Sequence, residues 1–145
     1  MNNSNELILS GRELTVQKLY HASHNKFGNL KVVISPESLK KMYTSREFIT
    51  DIVKKGDPVY GINTGFGALA TKFIPEKDLT TLQINLIRSH CTGIGAPYEK
   101  EFTRAIMILR ANCLCSGFSG ITPSIVELLV DFINLDIIPF IPKKG

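Results

Sequence analysis

Apolar residues fall at Leu39, Met42, Phe48, Ile49 and Ile52, a rough stripe at helical spacing that predicts one long helix from Pro36 to Lys55. Its punctuation agrees. Ser35 can cap the start, and Pro36 loses no needed N–H at the first helical position. Gly56, followed by Asp57-Pro58, ends it. Upstream, "LTVQKLYHAS" and "LKVVIS" read as short strands or extended segments. "VYGIN" reads as a short extended piece entering a glycine-rich stretch, "PVYGINTGFGALATKF". From Pro75 the character changes. Leu79, Leu82, Leu86 and Ile87 keep helical spacing up to "RSHCTG", where Gly93, Gly95 and Pro97 break it. The next helix is "YEKEFTRAIMILRANCLCSG", with Phe102, Ile106, Leu109 and Cys113 marking one face and Ala105, Ile108 and Ala111 on others. Thr122-Pro123 starts a last helix through "SIVELLVDFINLD", and the chain ends in extended "IIPFIPKKG".

The last two helices are apolar on most sides, a pattern that belongs inside something large. A chain of 145 residues has too little of itself to cover both. It either assembles through these helices or forms the first part of a longer protein. Composition does not disturb this picture: 43% hydrophobic and 21% charged residues are ordinary globular usage. The net charge of +4 comes from scattered pairs such as Lys40-Lys41 and Lys54-Lys55. They form no run or aromatic-interleaved stripe, so they read as solvated surface and not as a nucleic-acid patch. Cys91, Cys113 and Cys115 are odd in number and form no C-x-x-C. The expectation is buried free thiols in a reducing, cytoplasmic setting, with Cys113 and Cys115 pointing in different directions. The start carries no basic and apolar leader, and no apolar run is long enough to span a membrane.

Two constellations could carry chemistry. Gly61, Gly65 and Gly67 do not spell G-x-G-x-x-G, and no Lys-Ser/Thr follows, so a phosphate loop is disfavoured. By spacing alone the segment is a tight connector, and Tyr60 a packed ring with its hydroxyl bonded. In the second, "LQINLIRSHCTGIGAP", His90 falls where a helix gives way to a glycine turn. It can be a capping histidine, or it can meet a ligand through a ring nitrogen. His21 and His24 could share a helical face, but they lack a third ligand nearby, so no metal site is expected.

Together, "YGINTGFGALA" and "LQINLIRSHCTGIG" resemble the N-terminal part of the histidine and aromatic amino acid ammonia-lyases. "ILRANCLCSGFSGITPSIVELLVDFINLDIIPFIPKKG" fits the same family, and the resemblance covers the chain from about Leu30 on. It implies a mainly α fold with a small α/β N-terminal part, the start of an L-aspartase-like bundle of long helices. Residues 1–74 would form the α/β part, with the tyrosine loop at 60–74, and 75–145 the first bundle helices. The family uses a self-formed 4-methylidene-imidazol-5-one (MIO) electrophile. Tyr60 matches its catalytic tyrosine, which takes a β-proton from the substrate. Ser89-His90 resembles the substrate-reading pair of the histidine enzymes, with His90 at the position that contacts the imidazole. Gly61, Gly65 and Gly67 match the mobile segment that brings the tyrosine over the site, and Asn63, Thr64 and Phe66 support it.

The implied reaction is elimination of ammonia from L-histidine to give trans-urocanate, in histidine catabolism, by a homotetramer. The departure is the absence of the Ala-Ser-Gly tripeptide that forms MIO. The expectation is therefore an N-terminal fragment that is inactive alone. Three alternatives stay open: a tyrosine or phenylalanine lyase or aminomutase, a non-catalytic helical interaction domain, and a glycine-loop nucleotide binder.

Overall fold

The computed structural model describes residues 5–24, 30–67 and 70–145. A short strand, β1 (Glu6–Leu9), leads through helix α1 (Val16–Ser23) to a parallel strand, β2 (Lys31–Ile34), with Leu7 opposite Val32 and Leu9 opposite Ile34. Alternation along β1 sends Leu7 and Leu9 to the core and leaves Glu6 and Ile8 outside. The segment "LTVQKLYHAS", expected to be extended, is therefore helical over most of its length. Thr15 caps it by accepting the Lys18 N–H on its hydroxyl (3.2 Å), a local bond that outweighs the mixed propensity of so short a stretch.

The long helix α2 (Pro36–Lys55) has the expected ends. Ser35 accepts the Ser38 N–H at 3.1 Å, Pro36 opens the first turn, and Gly56 closes the last at φ +75°. Its apolar stripe is narrower than expected: Met42 is buried, but Phe48 is exposed. "VYGIN" is a turn and not an extended piece. Val59 O accepts both the Ile62 and Asn63 N–H groups, which curls the chain back on itself.

Three further elements follow as expected: α3 (Glu76–His90), α4 (Lys100–Leu114) and α5 (Pro123–Asn134). Between α3 and α4 lies β3 (Ile94–Pro97), which pairs antiparallel with β4 (Pro142–Lys144) in the extended C-terminal segment. The core is drawn from both halves of the chain: Leu9, Val32 and Met42 pack with Ile108, Ala111, Val126 and Ile133. Two asparagines join distant strands and helices. Asn134, the last residue of α5, pairs with both main-chain groups of Val32 at 2.8 and 2.9 Å, as a neighbouring strand would. Asn112 of α4 accepts the Gly11 N–H at 3.1 Å.

Helix α4 buries Thr103, Arg104, Met107, Ile108, Ala111 and Leu114. The face marked by Phe102, Ile106, Leu109 and Cys113 is the open one. The expectation of buried thiols holds for Cys115 alone, since Cys91 and Cys113 are exposed. Burial pushes the Cys115 thiol up to about 11, which makes it a poor nucleophile. Cys113 and Cys115 do point in different directions, as their spacing requires.

Candidate active site

Tyr60 stands at the outside of the turn that begins at Asp57. It is 65% exposed, and among the described residues its one ring contact is edge-on to Phe66, at 6.4 Å and 74°. The turn is built around Asn63, which is only 2% exposed. Its Oδ1 accepts the Val59 N–H at 2.7 Å, and its Nδ2 donates to the Asp57 carbonyl at 2.9 Å. Gly61 supplies φ +77° inside this turn, a conformation that few L residues adopt.

The glycine-rich stretch beyond Asn63 is tied at its base. The Ile74 N–H donates to Asn63 O at 2.9 Å, Gly65 N–H donates to Lys72 O at 3.0 Å, and Thr64 bridges to Phe73. Thr64 is buried, and its hydroxyl donates to Gly65 O at 3.1 Å. Gly67 sits past this base, on the tip, at φ +55°. Ala68 and Leu69 of the 60–74 segment lie outside the described residues. Tyr60 thus precedes the tied base and is carried by the Asn63 turn, while Phe66 reaches it from the tip side.

Ser89 and His90 close α3, and both are exposed. Ser89 Oγ donates to Leu86 O at 2.8 Å. His90 Nδ1 lies 2.8 Å from the same carbonyl and 3.0 Å from Ser89 Oγ. With Nδ1 donating to the carbonyl, a neutral ring keeps Nε2 as an outward acceptor. The same arrangement recurs at the end of α1, where Ser23 and His24 both reach Tyr20 O at 3.0 Å. Ser-His at a helix end is therefore a good cap in its own right. The two sites differ in one respect: His24 is stacked on Tyr20 at 4.0 Å, whereas His90 has no ring partner among the described residues.

Among the described residues, no hydrogen bond or ring contact joins Tyr60 or Phe66 to Ser89 or His90. A cavity of about 490 Å³ lies against the tyrosine turn, bounded by Gly61 and Ile62, α3 residues Thr80 and Gln83, and two arginines, Arg46 and Arg110. Sequence reading gave neither arginine a part, because each is a lone cation on a helix with no motif around it. A larger cavity, about 760 Å³, lies between Ser10, α2 and Phe118 and includes no candidate residue. Its phenylalanines, Phe48 and Phe118, are exposed, which marks it as an open apolar surface.

Residues 14–145 match the family of aromatic amino acid lyases. The chain belongs to that family. It is 42% identical over 139 residues to a histidine ammonia-lyase of Treponema denticola, covering 96% of this chain and 27% of that protein. Among solved structures, the ergothioneine-degrading ergothionase of Treponema denticola overlays with a TM-score of 0.89 and 34% identity, over 97% of this chain and 28% of the other. The tyrosine aminomutase of Streptomyces globisporus overlays with the same TM-score and 32% identity, over 97% and 26%. The lyase-family chain here thus spans about a quarter of the length of the relatives it matches.

The residues present do not fit the formation of MIO. The chain has three Ser-Gly pairs, at Ser10, Ser116 and Ser119, and they follow Leu9, Cys115 and Phe118 and never an alanine. As expected, the mostly helical architecture with its small α/β start matches the N-terminal part of lyase-family structures.

Proposed function

We propose that this chain supplies the proton-abstracting tyrosine and the imidazole-reading edge of a cytoplasmic enzyme that eliminates ammonia from L-histidine to give trans-urocanate. The observation that carries the substrate is the 42% identity to a histidine ammonia-lyase across 96% of the chain, which spans both Tyr60 and Ser89-His90. Fold similarity does not choose a substrate, because the ergothionase and the tyrosine aminomutase overlay equally well.

In this reading the Tyr60 side-chain oxygen takes the β-proton, and the exposure of its ring leaves room for a substrate to approach. The outward Nε2 of His90 accepts a hydrogen bond from the substrate imidazole. The glycine segment moves with the tyrosine and keeps water from the site. The MIO electrophile comes from residues outside these 145, and the site is completed in a homotetramer. The 145-residue chain alone is inactive.

The test uses the whole protein. Tyr60→Phe is expected to cut turnover of histidine by roughly 10²–10⁴-fold, the usual worth of a positioned acid or base. Near-normal turnover would remove Tyr60 from the chemistry. His90→Leu is expected to lower kcat/KM for histidine about tenfold more than for phenylalanine, since only the imidazole loses a hydrogen bond. An equal loss on both would leave His90 as a cap like His24.

A second reading, an aminomutase or lyase acting on tyrosine, shares this fold, as the overlay with tyrosine aminomutase illustrates. Faster conversion of tyrosine than of histidine by the whole protein would establish it in place of the first.

A further inference from the structure

The most deeply buried polar side chain near the candidate site is not the tyrosine but Asn63, at 2% exposure in a turn whose neighbours Tyr60 and Gly61 are open to solvent. Burying an amide costs free energy unless its groups are bonded. Here each is. Val59 gives both its main-chain groups to Asn63: its N–H donates to Oδ1 at 2.7 Å, and its carbonyl accepts the Asn63 N–H at 3.2 Å. Nδ2 reaches back to Asp57 O at 2.9 Å, and Asn63 O holds Ile74 N–H at 2.9 Å. Tyr60 follows Val59 directly, so its backbone is fixed from one side by this clamp. From the other it is fixed by the Gly61 turn at φ +77°.

We propose that Asn63 is a positioning residue for Tyr60, its buried amide closing the turn so that the phenol leaves the chain at a defined point and angle. The inference rests on the reading of Tyr60 as the base, and it adds which residue aims it. Asn63 touches no reacting atom. A residue of another kind does not serve. The substitution Asn63→Asp would keep an acceptor for Val59 but set a carboxylate oxygen against the Asp57 carbonyl. The substitution Asn63→Ala would leave the Val59 N–H and the Asp57 carbonyl without partners.

A double-mutant cycle in the whole protein tests it. Asn63→Ala is expected to lower kcat roughly tenfold to a hundredfold, the effect of a displacement of about 1 Å at a reacting group, with KM for the amino acid little changed. In the Tyr60→Phe background the same substitution should cost nothing further, because the residue it aims is gone. Additive losses would overturn the inference. Hydrogen exchange at the Val59 amide gives a second readout that needs no activity. It should accelerate in Asn63→Ala, and an unchanged rate would likewise overturn the clamp. Should the alanine variant not fold, Asn63→Asp is expected to show the same coupling to Tyr60 and a smaller rise in exchange. Full turnover by Tyr60→Phe overturns the reading of the base itself, and faster Val59 exchange in that case still supports the clamp.

Discussion

Gly61 holds φ +77° in open space, where an added Cβ meets no heavy atom within 4 Å. Gly11 has the same φ but lies 2.5 Å, at its would-be Cβ, from the Ser116 backbone. The two therefore separate strain from crowding. Gly61→Ala is expected to cost about 1–2 kcal/mol, the penalty of a left-handed L residue. Gly11→Ala should cost clearly more, because main chain on one side must also move. Urea midpoints of the two variants check this, and equal shifts would mean that the β1–α4 approach is soft. Asp136 offers a pH test at the same scale. The hydrogen bond from Lys100 (2.5 Å) holds its carboxyl below the ordinary 3.8; burial opposes this, and the bonded Arg104 guanidinium adds to it. A depressed folded pKa means stability that is present above 3.8 and lost as pH falls through the lower folded value. Asp136→Asn keeps the left-handed backbone (φ +61°) that asparagine tolerates. It should cost about 1 kcal/mol at pH 7, a modest figure because the carboxylate is half-exposed and screened. The difference from wild type should vanish in strong acid, and a constant difference across pH would assign the loss to packing. Gly61 was legible as a tight-connector glycine, and its φ of +77° agrees, whereas Asp136 was not legible, because it meets its cations only after α4 and α5 pack.

Helix ends were legible where the signal is local. Ser35-Pro36 and Gly56 bound α2 in the structure as in the sequence, since a cap needs only the residues of one turn. The same locality gives a prediction: Ser35→Ala should lower stability by about 1 kcal/mol by leaving the Ser38 N–H unmet. Thermal unfolding would register it as a fall in Tm, and no change would mean that water replaces the cap. Faces were less legible than ends. On α4 the apolar spacing of Phe102, Ile106 and Leu109 drew attention to the open side. The side that packs carries Thr103 and Arg104, whose polarity hides it. Arg104 is buried because its guanidinium finds Ser23 O at 2.8 Å and Asp136, partners from α1 and from beyond α5. A window of sequence does not contain them. β1, β3 and β4 were missed or only half-seen for the same reason: a strand of three or four residues is defined by its partner, and β3 and β4 are paired across the whole of α4 and α5. At the candidate site, the residue types came from the resemblance and the tying of the loop from the structure.

Across the whole molecule, polar side chains bind the first strands to the last helices, Asn134 to Val32 and Asn112 to Gly11, over a shared core. The outer sides of the same helices stay uncovered. Phe102 and Leu109 on α4, and Ile125, Leu128 and Phe132 on α5, are each between 37% and 53% exposed, although the core side of both helices is complete. Helix α3 buries no side chain at all. Apolar surface on this scale, carried by well-formed helices, favours association over solvation. The purified 145-residue chain is therefore expected to assemble with further copies of itself through these helices. Sedimentation should give an apparent mass above 16.1 kDa that falls toward that value on dilution. A charge on the open face tests the route: Leu128→Glu leaves the core residues Val126 and Val130 untouched, so the fold should persist while the apparent mass drops. A mass of 16.1 kDa at every concentration, or an assembly indifferent to Leu128→Glu, would mean that these faces do not join copies of the chain.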